Sequence, residues 1–240
     1  MKKKIAILGS TGSIGNSLLS ILFNEKKNFN ILLLTANKSY LTLLKQAKKF
    51  NVKNLIITDI ESYNLAKKIN NNPKIKIYNN FNNLNKIFSK KIDYTMSSIT
   101  GLEGLEPTIK LIKHTRKIAI ANKESIICGW NLIKKELDRC RTSFIPVDSE
   151  HFSLWYGLNH LNHNFIEKIY LTASGGSLYK FDFNKLNNVT IRQALKHPNW
   201  KMGKKITIDS ATLINKVYEV IEAKNIFNIN YKNIDILIHP

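Results

Sequence analysis

Short apolar runs alternate with stretches whose apolar positions recur every three or four residues through the first 145 positions. The runs at 4–8, 29–35, 55–58, 74–78, 93–96 and 117–121 predict strands. The helical spacing at 13–23, 39–50, 62–69, 105–113 and 124–137 predicts helices between them. Strand and helix in regular alternation predict a doubly wound parallel sheet, joined by right-handed crossovers and covered on both faces. The rhythm changes past Pro146. Segment 147–152 reads as extended chain, and strands are expected at 166–172, 206–208 and 234–239. A helix is expected over 211–223, with Leu213, Val217, Val220 and Ile221 as its buried stripe. The predicted fold class is α/β, with a doubly wound domain over 1–146 followed by an α+β domain over 147–240. The closing apolar strand pattern predicts an uncovered sheet edge, the mark of a truncated or incomplete module.

Composition narrows the class. With 43% hydrophobic residues the chain can bury a substantial core. No apolar run approaches the roughly 20 residues that span a bilayer. Lys2, Lys3 and Lys4 resemble the charged start of an export signal, but the apolar stretch behind them runs straight into Gly9 and reads as a first strand. Two cysteines, Cys128 and Cys140, fit no metal spacing, and a cytoplasmic setting is expected. The net charge of +20 invites a nucleic-acid reading. The excess is lysine spread along the whole chain, beside abundant asparagine and isoleucine, which is compositional bias. No specific nucleic-acid partner and no membrane partner are expected, and an anionic small molecule suits the charge.

Gly9-Ser10-Thr11-Gly12-Ser13-Ile14-Gly15 lies between a predicted strand and a predicted helix, the context of a dinucleotide-binding turn of Rossmann type. Gly9 and Gly12 permit the tight turn and close backbone approach to phosphate, and Gly15 lets helix and strand pack closely. The helix start aims backbone N–H groups at the anion, and Thr11 and Ser13 add hydroxyls. A plain glycine-rich turn is the competing reading. The second strand ends in Ala36-Asn37-Lys38-Ser39, where an NAD site carries an acid for the ribose 2′-hydroxyl. An amine flanked by small polar groups suits a 2′-phosphate, which favours NADPH.

Asp148-Ser149-Glu150 presents two carboxylates to one side of an extended chain, as a hard divalent cation requires. Two solvated surface acids are the plainer reading. Asn215, Lys216 and Glu219 share one face of the predicted helix. They suit phosphate and metal together, or an ordinary ion pair. Ser174-Gly175-Gly176 reads as a phosphate loop or a simple turn. His197-Pro198-Asn199-Trp200 with Met202-Gly203 combines a titratable ring, a flat aromatic and a hinge, as a closing lid would. A buried loop aromatic is the alternative.

These runs closely resemble the 1-deoxy-D-xylulose 5-phosphate reductoisomerase family. The matching segments are 8–15 (LGSTGSIG), 121–125 (ANKES), 146–151 (PVDSEH), 197–200 (HPNW), 209–212 (DSAT) with Asn215-Lys216, and 237–240 (LIHP), in family order. The resemblance implies that Asp148, Glu150 and Glu219 bind a divalent metal (Mg2+, Mn2+ or Co2+). It implies that Lys123 and Ser149 contact the hydroxyl-bearing end of a phosphorylated sugar. Ser174, Ser210, Asn215 and Lys216 would grip its phosphate, and His197 would face it. Thr11, Gly12, Ser13, Ile14, Lys38, Asn122, Glu124 and Gly203 would contact NADPH, beside Asn37 and Ser39. Lys123, Asp148, Glu150, His197 and Glu219 would form the catalytic set. The implied reaction is a metal-assisted skeletal rearrangement followed by hydride reduction. Asn37 stands where the family has glycine, and Val217-Tyr218 replaces a smaller pair. Family members run past the LIHP motif, so an incomplete catalytic region is expected, and homodimerisation attaches to the full-length family rather than to this chain. Two alternatives are a fragment that binds NADPH without turnover and another NADP-dependent dehydrogenase.

Overall fold

The computed structural model describes residues 2–158, 166–200 and 202–239, so Pro240 of the LIHP run lies outside the described residues. The chain divides into two compact units, Met1–Val147 and Asp148–Pro240.

In the first unit, β1 (Lys3–Leu8) leads through α1 (Ser13–Asn24) to β2 (Phe29–Ala36) and α2 (Tyr40–Phe50). Then come β3 (Asn54–Ile57), α3 (Ile60–Ile69), β4 (Lys76–Tyr78) and the short α4 (Leu84–Ile87). The chain returns through β5 (Ile92–Ser97), α5 (Leu105–Ile112), β6 (Thr115–Ile120), α6 (Lys123–Cys140) and β7 (Ser143–Pro146). The seven strands are parallel, in the order β4-β3-β2-β1-β5-β6-β7. Helices on both faces make the strands apolar throughout rather than alternating. Ile7, Leu33, Leu55 and Ile56 are wholly buried, each worth about 1.5–3 kcal/mol of apolar transfer. Strand order reverses between β1 and β5, and ligands of such sheets bind outside the carboxyl ends of the strands at that point. The glycine turn follows β1 there. Strand β7 was not expected from the pattern. It has four residues and ends in Pro146, which lacks an N–H and is tolerated because β7 lies at the sheet edge.

The second unit opens with α7 (Ser149–Leu158), continues to β8 (Ile169–Ala173) and the short α8 (Ile191–Ala194), then α9 (Lys204–Ala211), α10 (Ile214–Phe227) and β9 (Ile234–Ile238). Strands β8 and β9 pair in parallel, from Ile169 opposite Ile234 to Ala173 opposite Ile238. Their buried face packs with Ala223 and Phe227 of α10 and with Leu154, Trp155 and Leu158 of α7. On β9, Ile236 and Leu237 remain about half exposed.

The structure departs from three sequence expectations. Residues 206–208 are not a strand. They lie inside α9, where the Thr207 hydroxyl donates to the Gly203 carbonyl. Segment 147–152 is not extended, because α7 starts at Ser149. The expected 211–223 helix is two helices, broken at Leu213, whose backbone is left-handed (φ 61°). The buried face of α10 is Lys216, Glu219, Glu222, Ala223 and Phe227, while Val217 is 49% exposed. No described helix is long and apolar enough to cross a membrane.

Candidate functional site

In the first unit, Gly9 has φ +71°, a conformation that side chains resist, and a Cβ there would lie 2.7 Å from the Ser98 carbonyl oxygen after β5. A Cβ on Gly15 would lie 2.5 Å from both the Gly9 oxygen and the Ser10 Cα. Glycine at these two positions is what allows helix, loop and sheet to meet. The amide of Asn16 bonds the Gly12 carbonyl, and no side chain caps α1. The first N–H groups of a helix have no intrahelical acceptor, so those of residues 13–15 are available to an anion. Thr11 is half-buried, whereas Gly12, Ser13 and Ile14 are exposed.

Asn37, Lys38 and Ser39 are exposed between β2 and α2. Asn37 donates to the Thr58 hydroxyl at 2.8 Å. Asn122, by contrast, is buried and its amide is committed within the unit. It accepts from the Ser125 N–H as the cap of α6 and donates to the Ile99 and Gly101 carbonyls. Lys123 and Glu124 form the first turn of that helix and are half-buried.

In the second unit, a cavity of about 450 Å³ gathers most of the remaining candidates. Asp148, Ser149, Glu150, Ser174, His197, Ser210, Asn215, Lys216 and Glu219 all line it. Gly203 is the N-cap of α9, and a Cβ there would meet nothing within 4 Å. One carboxylate oxygen from each of Asp148, Glu150 and Glu219 lies within 4.8 Å of the others. Asp148 immediately precedes α7, Glu150 sits in its first turn and Glu219 lies on α10, so three local contexts converge on one point.

The Lys216 ammonium donates to Glu219, to Glu150 at 3.4 Å and to the Thr172 carbonyl of β8. Glu219 also accepts from Asn215 at 2.5 Å. Three carboxylates against one ammonium leave a formal charge of minus two, in groups that include the buried Glu219 and Lys216. Leaving buried charge uncompensated is costly. An all-oxygen donor set of this charge fits a hard divalent cation. Ser149 donates to Glu150 at 2.7 Å.

Around the rim, His197 Nδ1 accepts from the amides of Asn199 and Trp200, both at 3.1 Å. The proton is therefore assigned to Nε2, which lies 3.0 Å from the Ser174 hydroxyl. Burial holds the His197 pKa below its ordinary value. Gly175 and Gly176 are both left-handed, and a Cβ on Gly176 would fall 2.1 Å from the Ser210 oxygen. This double-glycine turn brings Ser174 and Ser210 to one wall. Trp200 is 63% exposed, so the buried-aromatic alternative is set aside.

Two residues escaped sequence reasoning. His151 is wholly buried, with Nε2 2.9 Å from the Glu219 carbonyl and Nδ1 3.5 Å from Asp148 and 3.9 Å from Glu222. Its ring stacks on Phe227. Burial lowers its pKa, but the Asp148 contact, the Glu222 charge and the Glu219 carbonyl together outweigh this and raise it. The signal was present: His151 is three residues past Asp148, and Glu222 three past Glu219. Both are one-turn spacings; the extended reading of 147–152 hides the first, while the second lies on a segment already expected to be helical.

Fold and site together define a class: an α/β protein with a doubly wound dinucleotide-type domain and a second unit whose cavity is lined by three carboxylates and a lysine. The family pattern described as 1-deoxy-D-xylulose 5-phosphate reductoisomerase matches residues 5–129, and that of its C-terminal domain matches residues 144–227. The chain belongs to the 1-deoxy-D-xylulose 5-phosphate reductoisomerase family. It is 60% identical over 240 residues to the reductoisomerase of Pelagibacter ubique, spanning 99% of this chain and 62% of that protein. It is 42% identical to that of Clostridium tetani, over 99% of this chain and 63% of the relative. Among solved structures, the Zymomonas mobilis reductoisomerase in complex with NADPH superposes with a TM-score of 0.89 at 33% identity, covering 100% of this chain and 62% of that one. A reductoisomerase in complex with NADPH, fosmidomycin and magnesium gives 0.89 at 31%, covering 99% of this chain and 61% of that one. The chain thus spans about 62% of the length of such relatives.

Proposed function

We propose that this chain binds NADPH through its first unit and a divalent metal and phosphorylated sugar through its second, in the conversion of 1-deoxy-D-xylulose 5-phosphate to 2-C-methyl-D-erythritol 4-phosphate. The observation that carries the reading is the convergence of Asp148, Glu150 and Glu219 on one point of a cavity that also holds Lys216, Ser174, Ser210, Asn215 and His197. NADPH and magnesium in the solved relatives support the same assignment.

The roles follow from the chemistry of each group. Asp148, Glu150 and Glu219 would hold Mg2+, Mn2+ or Co2+. When bound, the metal polarises the substrate's keto and hydroxyl oxygens, and the nicotinamide supplies hydride. Ser174, Ser210 and Asn215 offer neutral donors to a phosphate, and Lys216 supplies the charge that offsets it. His197, with its proton on Nε2, donates toward the same wall. Ser149 and Lys123 would orient the hydroxyl end of the sugar. Trp200 and Met202 would cover the cavity and exclude water. In the first unit, Thr11, Gly12, Ser13 and Ile14 would meet the pyrophosphate. Asn37, Lys38 and Ser39 would meet the 2′-phosphate, with Glu124 and Gly203 as further cofactor contacts. The buried Asn122 would act by shaping the 99–101 loop. A cytoplasmic location fits these small-molecule partners.

Calorimetric titration of the substrate tests the reading. Binding should require Mg2+ and disappear in Glu219→Gln. Substrate binding of equal strength in excess chelator would refute it.

A further inference from the structure

The loop that follows β1 is held from behind by a buried polar network centred on Gln46 of α2. Gln46 is 8% exposed, on a helix face otherwise made of Leu43 and Ala47. Its Nε2 donates to the Ser10 carbonyl at 3.0 Å and to Asn16 Oδ1 at 2.9 Å, and its Oε1 accepts from the Ser10 hydroxyl at 2.8 Å. Asn16 in turn donates to the Thr11 carbonyl at 2.9 Å. From the sheet side, the Ser10 amide donates to the Thr35 carbonyl and the Gly9 amide to the Thr35 hydroxyl, both at 2.9 Å. Ser10 is wholly buried and Thr35 nearly so.

A primary amide at a helix–sheet interface is costly to bury unless its groups are satisfied, and three of its possible bonds are made here. Two successive loop carbonyls, of Ser10 and Thr11, are thereby drawn toward the network. In a planar trans peptide the N–H points opposite to the carbonyl, so fixing the Ser10 carbonyl inward turns the Thr11 N–H outward. We infer that Gln46 is a positioning residue for dinucleotide binding: it sets the orientation of the Ser10–Thr11 peptide, whose N–H faces the cofactor's pyrophosphate, without touching the cofactor, while the Gly12 N–H is held by the Gly9 carbonyl. The inference rests on the NADPH reading above and extends it to a residue that no motif marks. It carries a specific consequence. The pyrophosphate is common to NADPH and NADH, so loss of Gln46 must weaken both alike and leave the preference for the 2′-phosphate unchanged.

The test is a titration of the full chain with NADPH and with NADH, for wild type, Gln46→Leu and Asn16→Ala, with melting curves showing that each is folded. Gln46→Leu is expected to raise both dissociation constants by about tenfold, equivalent to ~1.4 kcal/mol, with their ratio constant. Asn16 is exposed, so Asn16→Ala remains testable if the core variant does not fold. It should raise both constants by roughly threefold, again in parallel. Unchanged NADPH affinity in a folded Gln46→Leu, or in Asn16→Ala where that variant must decide, overturns the inference, as does a shift confined to NADPH. A wild-type chain that binds neither nucleotide overturns the NADPH reading itself.

Discussion

Replacing Gly15 with alanine is the sharpest local perturbation of the nucleotide turn. The added methyl would sit 2.5 Å from the Gly9 oxygen and the Ser10 Cα and 2.8 Å from the Ser10 carbonyl carbon. All three are backbone atoms, so no side chain can rotate away. Reaching ordinary van der Waals contact requires α1 and the loop to part by roughly 1 Å, and overpacking of this kind costs about 1–3 kcal/mol. Alanine's better helix propensity returns up to ~1 kcal/mol. A net loss of about 1–2 kcal/mol lowers Tm by roughly 2–8 °C for a chain of this size. The effect on cofactor should be larger. Parting the helix start from the loop removes at least one charge-assisted hydrogen bond to the pyrophosphate, ~1.5–3 kcal/mol, or tenfold and more in Kd. Differential scanning fluorimetry and NADPH fluorescence titration measure the two effects. Gly157→Ala is the control: its methyl meets nothing within 4 Å, so Tm should hold or rise slightly. A Gly15→Ala protein with wild-type Tm and wild-type NADPH affinity would refute the reasoning.

Lys216→Met removes the ammonium beside Glu150 and Glu219, and breaking a buried pair of this kind costs about 3–5 kcal/mol. Added Mg2+ should raise the variant's Tm more than the wild type's, and equal shifts would argue against a shared charge site. His114 gives a pH signature. Burial first, and then the Lys113 charge, hold its pKa below the ordinary 6.5, and its Nε2 is buried without a hydrogen-bond partner among the described residues. The folded state therefore resists protonation. Its contribution is fully present above pH 6.5 and is lost as the pH falls below that toward the depressed folded value. Tm measured from pH 7.5 to 5 should fall less steeply in His114→Leu, and parallel slopes would contradict the assignment.

The first unit was legible because its signals are local. Short apolar runs and helical spacing recur there, and the glycines of the 9–15 run fall at a turn where backbone contacts demand them. The second unit was misread where tertiary packing overrides pattern. Ile206 and Ile208 suggest a strand, yet the segment is helical and Thr207 is its buried member. On α10 the apolar Val217 faces out and the charged Lys216, Glu219 and Glu222 face in, where Lys216 pairs with Glu219 and the Thr172 carbonyl. A rule that buries apolar residues assigns such a helix the wrong face. The acids themselves were found through residue type and family resemblance. His151 and Gln46 were not found, since a buried polar partner has no periodicity of its own.

Metal-dependent reductive isomerisation at the carboxylate–lysine cavity is the proposed function. Its most direct test is the absorbance of NADPH at 340 nm when the folded chain is mixed with 1-deoxy-D-xylulose 5-phosphate and Mg2+. NADPH should be oxidised by the wild type, with oxidation stopping in chelator and absent in Glu219→Gln. Oxidation at the wild-type rate in Glu219→Gln, or none from the folded, Mg2+-loaded wild type, would contradict it.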